Sequence, residues 1–328
     1  MGFNEIPKIE NAKFYVNLAF KRANEEAKKA REEVSKKRSV LEKSKIIEIV
    51  KMRTAKDFLM ETLEKMTKKF PSINQLNKFF FELLKCYVDI DELRKSLGAL
   101  NWASEKVSDF YIMHKTKVKM TSDFKKVNQY RSMFYGRASS AMKQIDKHLR
   151  VIEEARRVLK DFPVIKEGIF TVAIAGFPNV GKSTLLAKLT GATPEIANYA
   201  FTTKSLNTAY IKENGDRVIQ LIDTPGTLNR FEKMNDIERQ AFIAMKYAAE
   251  LIVYVFDPTD TYPMEDQREL LENIKKETGK KIIIYVSKTD IAESKIKGIR
   301  DSEELKEELL KFKIEKVKTD PDLPEPAS

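Results

Sequence analysis

Residues 176–183 read GFPNVGKS and stand between an apolar run, TVAIA at 171–175, and a helix-forming run, TLLAKLT at 184–190. This is the pattern G-x-x-x-x-G-K-S in a strand–loop–helix context. The glycines let the backbone wrap around phosphate groups with its N–H groups pointing inward, and the helix N-terminus adds a positive dipole. The sequence therefore predicts a phosphate-binding loop made of Gly176, Phe177, Pro178, Asn179, Val180, Gly181, Lys182, Ser183 and Thr184.

On the C-terminal side of this loop, apolar runs alternate with helix-forming segments. The runs predict strands at 169–175, 209–212, 218–222, 251–256 and 282–286. Strands that alternate with helices indicate an α/β domain with a mainly parallel sheet and helices on both faces. Near the end of the chain we expect a strand at 313–318 and no final helix. The helix at 142–160 would then cover the sheet face left bare.

The segment before the loop has a different pattern, with almost only helix signals from residue 11 to residue 160. It predicts an all-α bundle, with helices at 11–38, 42–69, 73–96, 100–119 and 122–160. A short breaker at 162–168 ends it. We therefore expect a basic N-terminal helical bundle at 1–167, a nucleotide-binding domain at 168–318 and a disordered tail at 319–328.

Charge is distributed unevenly along the chain. Residues 1–167 have a balance of +14 and residues 168–328 a balance of −3. Between Lys115 and Arg150 there are ten basic and two acidic residues, with Tyr130 and Phe134 among them. Clustered positive charge neutralises phosphates, so this half is predicted to bind RNA. A solvated, Lys-rich face of a heat-adapted protein is the alternative.

Composition also bears on location and partners. No apolar run approaches the roughly 18 residues that a membrane span needs. The single cysteine, Cys86, allows no internal disulfide. We therefore expect a cytoplasmic, monomeric protein with no membrane partner.

The segment 218–226, VIQLIDTPG, predicts the metal-binding part of the site. An apolar strand delivers Asp223 to a Mg²⁺ ion that the hydroxyl of Ser183 also ligates. A hydroxyl from Thr203, or alternatively Thr202, completes the metal shell only while a γ-phosphate is present, which is the basis of a switch. The predicted metal ligands are Ser183, Thr203 and Asp223; the predicted catalytic residues are Lys182, Thr203 and Gly226; further nucleotide contacts are Thr202, Thr224, Pro225 and Gly226.

The stretch IYVSKTD at 284–290 predicts the selection of the base. The carboxylate of Asp290 can accept hydrogen bonds from N1–H and the exocyclic amine of guanine, whereas adenine offers a lone pair at N1. Buried polar mismatches of this kind cost enough to exclude adenine. The stem of Lys288 is expected to lie along the ring. Ser287 stands where a guanine-reading loop has Asn, so we expect GTP to be preferred but bound more loosely.

With these motifs in place, the chain resembles the nucleolar GTP-binding proteins of the Obg-like group, in particular their short archaeal members. The resemblance covers roughly residues 10–290 and rests on GFPNVGKSTL, ANYAFTTKSLN, DTPGTLNRFEKMNDIERQA, YVFDPTDTYPMEDQ and, in the helical half, YRSMFYGR at 130–137. It implies a GTPase that joins precursors of the large ribosomal subunit through its helical bundle.

The chain departs from that family pattern at three places. Ser287 is one. Thr227 is another, since the family usually has an aliphatic residue there. Neither the family nor this chain has the Gln that orients water in Ras-like switches, so slow hydrolysis that depends on an activator is expected. The third is the predicted lack of a final helix and of the loop before it, for which Lys318-Thr319 would stand in. Asn179 resembles the Asn that holds K⁺ in some related GTPases; a purely structural role is the alternative.

The sequence therefore predicts a GTP-driven assembly factor that binds GTP and GDP, uses Mg²⁺, and contacts ribosomal RNA of a large-subunit precursor. Two other hypotheses stay open. One is a signalling switch whose helical domain binds only protein. The other is a nucleotide-binding module with little turnover.

Overall fold

The computed structural model of the chain describes residues 3–34, 37–162, 165–166, 168–191, 207–225, 234, 236–259, 261–293 and 295–319. The described residues form two compact units. One unit contains residues up to 75 together with residues 84–160, and the other contains residues 76–83 together with those from 161 onward. The tail from residue 320 lies outside the described part.

The N-terminal half is helical, as predicted. Its helices are α1 (Ala12–Glu33), α2 (Val40–Lys69), α3 (Lys78–Tyr87), α4 (Ile90–Met120), α5 (Phe124–Gln144) and α6 (Asp146–Lys160). Small side chains on α1, which are Ala19, Ala23 and Ala27, are buried and allow close packing against α2. A capping box of Ser39 and Glu42 starts α2, because each side chain accepts from the backbone N–H of the other residue.

Two predicted helix boundaries were wrong. The expected helix at 122–160 is interrupted at Ile145, which has φ −90° and ψ 3° and lies between α5 and α6. The expected break between 96 and 100 lies instead near Asp89, whose side chain caps α4 by accepting from the backbone N–H of Asp91 and Glu92. Asp, a favoured N-cap residue, gives this helix its start.

The second unit contains a five-stranded sheet, and its strands lie where the apolar runs predicted them. They are β1 (Phe170–Ala175), β2 (Asn207–Glu213), β3 (Asp216–Asp223), β4 (Leu251–Phe256) and β5 (Lys281–Val286), in the order β2-β3-β1-β4-β5. Only β2 is antiparallel to its neighbour among these strands. Because β1, β3, β4 and β5 are parallel, their carboxyl ends meet at one edge of the sheet.

Helices flank this sheet, as in other α/β domains. They are α7 (Lys182–Thr190), α8 (Asp236–Ile243), α9 (Met264–Thr278) and α10 (Ser302–Thr319). A π-helical segment, Ala244–Ala248, continues α8 and packs against α9, while α7 packs against α10.

The end of the chain corrects the sequence analysis. Residues 313–318 belong to α10 and not to a strand, so a final helix is present. Leu305 and Leu309 of α10 are fully buried, and Phe312 packs against Phe170 of β1 with 6.1 Å between ring centroids. The sheet is therefore covered by α10, and the expected role of the helix at 142–160 as its cover is not needed. Likewise Lys318-Thr319 lies at the end of this helix and does not stand in for the loop before it.

None of the helices among the described residues is both long enough and apolar enough to cross a membrane.

We predict that Leu309→Ala destabilises the nucleotide-binding unit. The substitution leaves a cavity beneath α10, and a buried Leu→Ala change costs about 2–5 kcal/mol of unfolding free energy. Denaturant unfolding monitored by circular dichroism measures this loss. The matched control on the same helix is Ile314→Ala, because Ile314 is 48% exposed and its truncation is expected to change the free energy by less than about 0.5 kcal/mol. Equal, small losses for both variants would contradict the packing of α10 on the sheet.

Candidate functional site

The phosphate loop begins at the point where β1 passes β4. Gly176 has φ 143°, and a Cβ atom at this position would lie 2.6 Å from the carbonyl oxygen of Val255. No other residue type fits there without moving β4. The loop then turns through Asn179, at φ 59°, and Gly181, at φ 95°, into the N-terminus of α7. The sequence therefore folds this segment into a tight loop open to an anion.

Lys182 lies inside this loop. Its side chain is buried, and its Nζ donates to the carbonyl oxygens of Gly176 at 3.0 Å and Phe177 at 2.6 Å. Burial lowers the pKa of Lys182 to about 8, because desolvation disfavours the ammonium ion; the Asp223 carboxylate offsets this only in part. An arriving phosphate supplies the counter-charge that this ammonium group lacks.

Ser183 and Asp223 meet at the rim of the loop. The hydroxyl of Ser183 donates to Oδ2 of Asp223 at 2.8 Å, and Asp223 pairs with Ile174 in the register of β1 and β3. Thr224 fixes the chain just beyond, because its N–H and its hydroxyl both donate to the carbonyl oxygen of Ile174. A hydroxyl and a carboxylate are the oxygen ligands that Mg²⁺ prefers. The two residues therefore fit a magnesium-bound nucleotide.

Ser287 lies next to the phosphate loop but is bonded elsewhere. A Cβ atom placed on Gly181 would lie 3.7 Å from Cβ of Ser287, so the two segments are in contact distance. The hydroxyl and the backbone N–H of Ser287 both donate to the carbonyl oxygen of Phe256, at 3.0 and 2.9 Å. This short side chain is thus tied to β4 and not to the phosphate loop.

A turn after β5 presents the predicted base-reading residues. Lys288 has φ 50°, and its carbonyl oxygen accepts from the N–H groups of Ile291 and Ala292. Asp290 lies within this turn and is exposed. Its carboxylate is therefore accessible to a base at the same sheet edge as Lys182.

Sequence reasoning missed two features of this edge. Asp257 directly follows β4 and forms an ion pair with Lys288, with 2.6 Å between Oδ2 and Nζ. Ile299 forms a parallel bridge with Tyr285 of β5, so the segment from Ile299 to Asp301 leads from a short added strand into α10. That segment occupies the position of the loop that the sequence analysis considered missing. The signals were a Gly at 298, which lies against Ile284, and an Asp before a run of helix formers.

Several predicted site residues lie outside the described part of the chain. These are Thr202, Thr203 and Gly226, together with Thr227. The described residues that come together are the phosphate loop at 176–184, Asp223 to Pro225, and the turn at 287–290.

Comparison with known proteins identifies both halves. Residues 171–288 match the family model described as 50S ribosome-binding GTPase. Residues 3–166 match the model described as the NOG1 N-terminal helical domain. The two matches together span nearly the whole described chain.

Individual proteins are also similar to this chain. A protein of Methanocaldococcus jannaschii, MJ1408, is 40% identical over 77% of this chain and 71% of its own length. Nucleolar GTP-binding protein 1 of Drosophila melanogaster is 32% identical over 70% of this chain and 36% of its own length. Among solved structures, the G domain of the T. maritima FeoB iron transporter is 29% identical and covers 44% of this chain and 98% of that domain, with a TM-score of 0.37. The chain thus spans well under half the length of the Drosophila protein.

We predict that nucleotide affinity depends on pH through Lys182. Bound phosphates favour the ammonium ion, so its pKa in the complex lies above the value of about 8 in the free protein. Binding above pH 8 therefore takes up a proton, and the GDP association constant is expected to fall about tenfold between pH 7 and pH 9. Calorimetry in buffers of different ionisation enthalpy measures both the affinity and the proton uptake.

The matched control is Lys182→Arg, because a guanidinium stays charged over this range. Its association constant is expected to be lower at every pH but to fall less steeply. A wild-type affinity that does not change between pH 7 and pH 9, with no proton uptake, would contradict this prediction.

Proposed function

Since this chain belongs to the nucleolar GTP-binding protein 1 family, we propose that it is a GTPase with slow intrinsic hydrolysis that acts as an assembly factor on the large ribosomal subunit. Its ligands in this proposal are GTP and GDP, and its helical unit binds ribosomal RNA of a subunit precursor. The single observation that carries the nucleotide part is the meeting of the phosphate loop, Asp223 and the base-reading turn at one sheet edge.

In this proposal, each described residue at the carboxyl edge of the sheet binds a different part of the nucleotide. Lys182 binds the phosphates, and the backbone N–H groups of the loop and of the start of α7 surround them. Ser183 and Asp223 would hold Mg²⁺, which neutralises charge on the β- and γ-phosphates when it is bound. Asp290 accepts hydrogen bonds from guanine. The roles of Thr203 as metal ligand and of Gly226 as backbone donor stay predictions, because both lie outside the described residues.

Slow hydrolysis is proposed because no Gln follows Gly226 to orient the attacking water; the residue there is Thr227. The role of Asn179 in holding K⁺ stays a prediction. Its left-handed backbone, at φ 59°, already favours Asn at this position, which supports the structural alternative.

One argument for the alternative hypothesis, a nucleotide-binding module with little turnover, does not hold. A domain without a final helix would favour that hypothesis, but α10 is present and packs against α7. Ser287 and Thr227 remain as departures from the family pattern. The cytoplasmic location and the monomeric state stay predictions.

The RNA part of the proposal rests on the basic surface of α4 to α6. Eight of the ten basic residues between 115 and 150 are exposed, namely Lys117, Lys119, Lys125, Lys126, Arg137, Lys143, Lys147 and Arg150. Aromatic rings lie among them, since Lys117 is placed over Tyr130 and Arg137 over Phe110, at 6.0 and 5.5 Å from the ring centroids. Exposed cations beside aromatic rings suit a phosphate backbone with unstacked bases.

We predict that Asp290→Asn changes base preference. The oxygen of the new amide can still accept one hydrogen bond from the base. Its NH₂ group, however, faces the exocyclic amine of guanine, which is also a donor, whereas xanthine has an acceptor oxygen at that position. The affinity for GDP is expected to fall at least about tenfold and that for XDP to rise. Titration calorimetry with both diphosphates measures the change. The matched control is Glu293→Gln, which removes an exposed carboxylate three residues further on. Wild-type protein that binds ADP as tightly as GDP would overturn the GTPase proposal itself.

We predict that the full chain binds large-subunit ribosomal RNA with a strong salt dependence. In Lys125→Gln/Lys126→Gln two phosphate contacts are lost, so the slope of log affinity against log salt is expected to become shallower by about 1.5. Filter binding at several salt concentrations measures this slope. The matched control is Lys28→Gln/Lys29→Gln on α1, where Lys29 is paired with Glu26 at 2.6 Å and the slope should stay unchanged.

Two outcomes would contradict the RNA proposal. If both double variants change the slope of log affinity against log salt equally, the net charge of the chain governs binding and not the basic surface of α4 to α6. If the wild-type chain fails to bind the RNA at low salt, the signalling-switch alternative is favoured.

A further inference from the structure

The motif DPTDTYPMEDQ at 257–267 has no role in the proposed function, yet its first residue reaches into the nucleotide site. Asp257 is fully buried directly after β4. Its Oδ2 accepts from Nζ of Lys288 at 2.6 Å, and its Oδ1 accepts from the N–H and the hydroxyl of Thr259 at 2.9 and 2.6 Å. Both carboxylate oxygens are therefore engaged, one of them by the base-reading turn.

The backbone of Asp257 is held as firmly as its side chain. Gln267 of α9 is fully buried; its Oε1 accepts from the N–H of Asp257 and its Nε2 donates to the carbonyl oxygen of Asp257, each at 2.9 Å. Nε2 also donates to the carbonyl oxygen of Tyr262, and the hydroxyl of Tyr254 donates to the carbonyl oxygen of Gln267. The side-chain amide of Gln267 thus bonds both backbone polar groups of Asp257, as a neighbouring strand would. Asp257 therefore cannot shift without breaking buried hydrogen bonds.

Electrostatics keeps the Asp257–Lys288 pair together. Burial alone would raise the pKa of Asp257, but the hydrogen bonds from Lys288 and Thr259 outweigh it and hold the pKa below its ordinary value. Breaking the pair would leave a charged carboxylate without its cation in a buried position, which is strongly unfavourable. The pair is therefore a fixed point of the site and not an exposed surface ion pair.

The pair fixes the turn that carries Asp290. Lys288 has its backbone in the left-handed region, at φ 50°, and its side chain is held at the far end by Asp257. The side chain of Lys288 is therefore fixed at both ends, by its backbone and by Asp257. The turn that contains Asp290 thus begins at a constrained residue. Ser287 makes no such tie toward the phosphate loop, because its hydroxyl donates to Phe256.

We propose that Asp257 is a specificity-determining positioning residue, which holds Lys288 and thereby sets the base-reading turn for guanine in place of the tie that an Asn at 287 would make. This proposal rests on the proposed function, since it assumes that a guanine nucleotide occupies the site. It assigns the DPTDTYPMEDQ motif to the support of base recognition, with Gln267 holding Asp257 from α9.

The test compares GDP with IDP, whose base lacks the exocyclic amine. Phosphate contacts are the same for both ligands, so the dissociation constant of IDP divided by that of GDP reports base reading alone. In Asp257→Asn, which preserves the size of the side chain and removes its charge, this ratio is expected to fall about fivefold and GDP to dissociate about tenfold faster. Calorimetry measures the ratio, and stopped-flow release of a fluorescent GDP analogue measures the rate.

A double-mutant cycle links the effect to the pair. Lys288→Met keeps the apolar stem and removes the ammonium group, so it is expected to lower the ratio to a similar extent. The double variant is expected to be no worse than Lys288→Met alone, because the partners act as a unit. Additive losses in the double variant would overturn the proposal.

The matched control is Thr259→Val, which removes a hydrogen bond to Oδ1 of Asp257 and leaves the ion pair in place. Its ratio of the IDP to the GDP dissociation constant is expected to match the wild type even if its melting temperature falls. A ratio unchanged in Asp257→Asn, or one that falls equally in Thr259→Val, would show that Asp257 only stabilises the fold. Wild-type protein without a preference for GDP over ADP would instead refute the proposed function.

Discussion

The end of β4 is the point on which both halves of the nucleotide site depend. Three successive residues there act on different partners. The carbonyl oxygen of Val255 leaves no room for a side chain at Gly176, that of Phe256 accepts both hydrogen bonds from Ser287, and the carboxylate of Asp257 binds Lys288. Because β4 lies between β1 and β5 and all its residues are buried, any shift of this end would disturb the packing on both sides. The distance between the phosphate loop and the base-reading turn therefore depends on the contacts that both make with one strand end, in addition to the packing of Ser287 against Gly181.

Much of the fold could be predicted, because strands that are buried consist mainly of apolar residues. Strands buried on both faces, such as β1 and β4, read as apolar runs with at most one polar residue, and these runs matched the strands. Prediction failed at α10. The stretch KFKIE at 311–315 alternates charged with apolar residues, which imitates a half-buried strand, whereas the spacing of Leu305, Leu309 and Phe312 over a longer window is helical. At Ile145 the apolar stripe runs on through the break between α5 and α6, so no sequence pattern marks it.

The candidate site divides in the same way. Residues that follow one another in the chain, as in the phosphate loop, and residues at strand ends, such as Asp223, were identified from local patterns. Asp257 was not, although its motif had been noticed, because its importance comes from Lys288, which lies 31 residues further along the chain. Pairing across that separation depends on β4 and β5 being neighbours in the sheet, and a single sequence does not state that order. The pairing of Ser287 with Phe256 was hidden for the same reason.

The hydrogen bonds of Ser287 connect the base-reading turn to the end of β4 and not to the phosphate loop. In a site where the base-reading loop is tied directly to the phosphate loop, a change of conformation in one is transmitted to the other. Here Ser287 is bonded to Phe256 at the end of β4 and Lys288 to Asp257 directly after it, while Lys182 bonds within its own loop through Gly176 and Phe177. The hydrogen bonds that hold the base-reading turn are therefore separate from those that hold Lys182, and the end of β4 is the element that both segments contact.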